Sequence, residues 1–109
     1  MTITYKEFNE YIDSLADDYC AEDYEDFSDY CHECADGSEF VIYYGCAWSL
    51  VYMIKQYDSA LLMDAEIALS DYKDGDLSID AIMTTLAYEC IYQQLSLAIQ
   101  EKMNLNRGA

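Results

Sequence analysis

The chain contains no proline. Nothing in it fixes φ or removes a backbone donor inside a helix, so long uninterrupted helices form easily. Glycine is nearly as scarce, with four residues at Gly37, Gly45, Gly75 and Gly108. Basic residues are few: five Lys and Arg stand against 22 Asp and Glu, for a net charge of −17. Phosphate binding needs Lys and Arg, so this balance argues against direct binding to DNA, RNA or an anionic membrane. There is one histidine, His32, and neither a Gly-x-Ser-x-Gly elbow nor a glycine-rich phosphate loop. Hydrolytic or phosphoryl-transfer chemistry therefore has little to stand on, and no enzyme activity is expected. The longest uncharged run, Phe40 to Ile54, is 15 residues, short of the ~20 needed to span a bilayer. Met1 to Glu7 lacks the basic and apolar regions of a secretory signal. The five cysteines (Cys20, Cys31, Cys34, Cys46 and Cys90) are odd in number and irregularly spaced. They read as reduced thiols in a cytoplasmic protein.

What is present points to a folded chain. The hydrophobic fraction is 53% and aromatics make up 15%, which opposes disorder despite the charge. At 109 residues one domain is expected. The pattern predicts an all-α bundle of four to five helices.

Thr4 and Glu7 make a capping-box pair. Tyr5, Phe8, Ile12, Leu15 and Tyr19 recur at helical spacing behind it, so a first helix is predicted over residues 5–20. A second helix is predicted from Ala21 or Glu22 to Ala35, ended by Asp36-Gly37. Residues 39–43 are β-branched and aromatic and read as a short extended or helical entry to a third helix, residues 43–57. That helix is apolar nearly all round and is expected at the centre of the core. Asp58 or Ser59 caps a fourth helix through Ser70, with Leu62, Ala65, Ile67 or Ala68, and Leu69 inward. Residues 72–76 read as a loop. A last helix is predicted from a Ser78 cap to Lys102, with Ile79, Ile82, Met83, Leu86, Ile91, Leu95 and Ala98 on a wide core stripe. The bundle is expected to pack around residues 43–57 and 78–102, with a frayed tail over residues 104–109.

Three cofactor chemistries are weighed and set aside. Cys31-His32-Glu33-Cys34 offers one C-x-x-C pair, where zinc folds use two pairs on turns. Thioredoxin-like chemistry places C-x-x-C after a strand in a βαβ unit, which the pattern lacks. Aligning Gly75 with the glycine of a calcium loop puts Tyr72 and Ala81 at ligand positions, which breaks that motif. No metal or cofactor is expected.

The remaining signal is the distribution of charge. Thirteen acids and one base, Lys6, fall within residues 1–39, a net −12. The excess is of one sign, where ordinary helices interleave Lys with Glu at i, i+4. Tyr11, Tyr19, Tyr24 and Tyr30 are threaded through it, and tyrosine suits interfaces because it joins apolar area to a hydroxyl. The expected contact residues are Asp13, Asp17, Asp18, Glu22, Asp23, Glu25, Asp26 and Asp29, with Tyr24 and Tyr30 packing between a partner's Arg and Lys side chains. Carboxylates on two such helices would stand about 5–6 Å apart along each axis, a coarse copy of a phosphate track.

In size, charge and Tyr/Asp/Glu texture the whole chain resembles the small acidic helical proteins of phages and mobile elements that act as DNA mimics. These include antirestriction proteins, uracil-DNA glycosylase inhibitors and some anti-CRISPR proteins. Locally, His32-Glu33, then Asp36 to Tyr44, then Ala47 resemble a segment of small phage proteins. The resemblance implies a cytoplasmic inhibitor in an infected bacterial host. It would bind the basic nucleic-acid channel of a CRISPR effector complex or a restriction enzyme. It implies no direct contact with nucleic acid or membrane, and a monomer or homodimer. An allosteric inhibitor, a plain assembly protein and a Cys31/Cys34 zinc or redox module are the other readings of the same residues.

Overall fold

The N-terminal capping box forms as the sequence requires. The Glu7 amide donates to Thr4 Oγ1 at 3.1 Å, and the Thr4 amide donates back to Glu7 Oε1 at 3.3 Å. They open helix α1, Tyr5–Asp18, in the computed structural model, which describes residues 3–70 and 78–108. Phe8, Ile12 and Ala16 form its buried stripe, one turn apart.

The second helix starts later than predicted. Ala21–Asp23 is a single 3-10 turn, Tyr24 is extended, and helix α2 spans Phe27–Asp36. Two local causes favour this arrangement. Carried back to Glu22, the helix would set Glu22 against Glu25 and Asp26, and Glu25 against Asp29, like charges at i+3 and i+4. Asp26, extended at φ −140°, instead serves as N-cap and accepts from the Ser28 amide at 3.1 Å.

Residues 39–43 form no strand. Ser38, 3% exposed, caps a single helical turn, α3, Glu39–Ile42. Helix α4 follows at Tyr44–Tyr57 and α5 at Ser59–Leu69, with the Asp58 carboxylate capping α5 through the Leu61 amide. In α5, Leu61, Leu62 and Ala65 are buried and Ile67 is exposed. The loop predicted at residues 72–76, including the calcium-loop alignment, lies outside the described residues.

Ser78 caps α6, accepting from the Ala81 amide at 3.2 Å. This helix spans Ile79–Gly108, past the predicted end at Lys102 and through most of the expected tail. No glycine or proline occurs between Gly75 and Gly108 to stop it.

The architecture is thus an all-α single-domain bundle, with six α-helices and no strand among the described residues. Its hub is α6, which packs against each of the other five helices. The sequence points to two core helices, residues 43–57 and 78–102, and of these it is the second that touches every other helix. Helix α4 does bury Ala47, Leu50, Val51, Met53 and Ile54, but Tyr52 and Tyr57 stand exposed on it. No described helix is long and apolar enough to cross a membrane.

Candidate acidic interaction face

All thirteen carboxylates from Glu7 to Glu39 belong to exposed residues, and no Lys or Arg falls between Lys6 and Lys55. Helix α1 carries two rows of them. Glu10, Asp13 and Asp17 continue from Lys6 along one line, and Glu7 and Asp18 lie on another, both away from the Phe8–Ile12–Ala16 stripe. Helix α2 presents Asp29, Glu33 and Asp36 outward with His32 among them. Glu22, Asp23 and Glu25 sit on the 3-10 turn and bend between the two helices.

Among the described residues, two cations reach this face. Lys6 lies 3.9 Å from Glu10, and Lys102 of α6 pairs with Asp17. Exposed pairs contribute only about 0–1 kcal/mol, so they trim the field without cancelling it. Asp26 is partly committed as the α2 cap. Asp13, Asp18, Glu22, Asp23, Glu25 and Asp29 are likewise exposed.

The two predicted tyrosines differ in role. Tyr30 is 8% exposed, and its hydroxyl donates to the Leu15 carbonyl at 2.6 Å. It is therefore not free to pack between a partner's side chains, and instead ties α2 to the end of α1. Burial, chiefly, raises its hydroxyl pKa. Tyr24 is half-buried, and Tyr19 and Tyr24 close the cluster, with ring centroids 5.2 Å from Tyr30. The cluster supports the irregular Glu22–Asp26 stretch from beneath. The Tyr24 hydroxyl pKa is raised, first by its hydrogen bond to Glu33.

The remaining chemistry is inward. Cys31 is buried and Cys34 half-buried, and burial is the main cause that raises both thiol pKa values. Burial pushes Cys90 up to about 12. Such thiols are poor sources of the thiolate that metals and redox partners need. Among the described residues, no three His, Cys, Asp or Glu side chains gather closely enough to hold a metal ion.

His32 is exposed on α2 and also engaged. Its ring stacks on Tyr92 at 4.3 Å, and its Nδ1 is hydrogen-bonded to the Tyr88 hydroxyl. Tyr88 and Tyr92 are one turn apart on α6, so the contact locks the outward face of α2 to the hub. The only signal for it in the sequence is that one-turn spacing of two tyrosines.

The arrangement is a broad anionic surface on a rigid support. No protein-family model matches the chain, and no curated protein or solved structure matches it either.

Proposed function

We propose that the protein is an inhibitor of a host nucleic-acid-targeting defence system. It binds a basic nucleic-acid channel through its acidic face, standing in for the polyanion. A CRISPR effector complex is the first candidate target and a restriction enzyme the second. The observation that carries this reading is the run of thirteen exposed carboxylates over residues 7–39, uninterrupted by any basic residue. Carboxylates at i+3 and i+4 along α1 rise by about 4.5 and 6 Å, against about one charge per 1.7 Å of axis in B-DNA. The mimicry is therefore one of field and not of atomic spacing. Recognition of this kind is fast and weakens steeply with salt.

The test is a triple variant, Asp23→Lys, Glu25→Lys and Asp29→Lys, which leaves the Asp26 cap in place. A host-lysate pull-down identifies the target, and competition with DNA reads the binding. The variant is expected to lose competition while its circular dichroism is unchanged. Full competition by a folded triple variant would show that this face is not the interface.

A further inference from the structure

The start of α1 and the second half of α4 enclose a half-open cleft of about 420 Å³. Three tyrosines line it, Tyr5, Tyr52 and Tyr57, together with Met53, Gln56 and Ser49. Tyr5 and Tyr57 stack at 5.8 Å with planes 15° apart, and the Tyr5 hydroxyl donates to Asp58 Oδ2 at 3.3 Å. Tyr52 and Tyr57 are 55% and 64% exposed, a large aromatic area left in water.

Among the described residues the lining contains no Lys or Arg. Lys6, next to Tyr5 in the chain, turns along α1 to Glu10. An anion entering this cleft would meet no positive group among the described lining residues and the repulsion of a chain carrying −17. A cation is drawn in by that same field, and the faces of tyrosine rings attract cations directly. Among cations, a guanidinium fits best, because it is planar, weakly hydrated and stacks on aromatic rings.

We propose that this cleft takes an arginine side chain of the basic protein partner and so forms a second anchor beside the acidic face. The identity of the occupant rests on the function proposed above. The distances are compatible. Tyr5 lies about 12 Å along α1 from Asp13 and about 20 Å from Asp18. A standard interface of about 800 Å² per partner is roughly 30 Å across, so one partner covers both.

Titration of the full chain by ¹H–¹⁵N NMR with the blocked peptide acetyl-Gly-Arg-Gly-amide tests the proposal. The same peptide with citrulline, which keeps the planar group but not its charge, serves as control. Saturable shifts are expected at the amides of Ser49, Met53 and Gln56, with citrulline at least about tenfold weaker. Tyr52→Ala and Tyr57→Ala should each weaken arginine binding several-fold, and Tyr52→Phe, which keeps the ring, should retain it. Equal binding of both peptides, no saturable shift at these amides, or unchanged binding in both alanine variants overturns the proposal. The acidic-face triple variant separates the two readings. If it loses the target while Tyr52→Ala does not, the cleft fails and the acidic face stands. If the cleft binds arginine and Tyr52→Ala weakens the target while the triple variant does not, the acidic face fails and the cleft stands.

Discussion

In α1 and α2 each carboxylate faces water and the apolar side chains fall on one inward stripe. Helix α6 is built the other way. From Ala81 to Ser96 none of its residues is exposed, and Thr84, Thr85, Gln93 and Gln94 are half-buried along with the apolar ones. The first region sheds burial to carry charge, and the second gathers contacts from all sides. Self-repulsion opposes folding, and here its sources sit on satellites while the hub holds the apolar surface of five helices. The contrast shows how a small chain keeps a strong one-signed field and a core together.

The largest effect should come from removing the hub. A chain ending at Ser78 is expected to lack stable tertiary structure, read as loss of near-ultraviolet dichroism and amide protection. A folded 1–78 fragment would break the comparison. Within the intact chain, Leu95→Ala is expected to cost about 2–5 kcal/mol, because Leu95 is fully buried on α6. Urea unfolding reads it, and a single transition is expected by every probe.

Alkaline pH tests the hub again. Cys90 is held near 12 by burial, above an ordinary thiol value of 9.0. Below pH 9 the thiol is neutral in both states and its contribution is complete. As pH rises from about 9 to 12 the unfolded chain ionises and the native one does not, so stability falls, by roughly 2–4 kcal/mol. Cys90→Ala should flatten that slope, although the variant starts less stable. A slope unchanged by the substitution would assign the loss to other groups.

On the satellites the effects shrink. Tyr30→Phe removes the hydroxyl bonded to Leu15 and is expected to cost about 1 kcal/mol. Asp26→Ala should cost about 1 kcal/mol through the lost cap, whereas Asp26→Asn, also a good cap, should cost little. Equal losses in the two Asp26 variants would mean that the charge, and not the cap, is what the α2 start requires.

Much of the fold was legible where its cause is local. Thr4 with Glu7, Asp58 and Ser78 mark three helix starts correctly, because a cap is written within four residues. The start of α2 was misplaced because Glu22, Asp23 and Asp26 are all competent near a helix N-terminus. Repulsion among them, together with the docking of Tyr24 beside Tyr19 and Tyr30, favours Asp26 as the cap. Residues 43–57 and 78–102 were both legible as core helices from their apolar stripes, but which of them is the hub was not, because centrality depends on neighbours. On α6 the half-buried Thr84, Thr85, Gln93 and Gln94 accompany the buried Leu86, Cys90, Ile91 and Leu95. The exposure of the acidic face was legible, since unpaired carboxylates stay in water. Tyr30 was not, because a tyrosine satisfies its hydroxyl equally well on a backbone carbonyl. His32 with Tyr88 and Tyr92, and the Tyr5–Tyr57 cleft, join residues about fifty or more positions apart, beyond the reach of periodicity.

The place of α6 in the chain sets a timetable for synthesis. The five helices that pack on it are translated first, and at about 5–20 residues per second they spend seconds without the surface that completes their core. During that interval the nascent segment exposes Phe8, Ile12 and Leu50 alongside a dense negative charge. Like charge opposes the approach of one nascent chain to another, so the residues proposed above to meet a basic partner would also guard the chain against its own copies until α6 arrives.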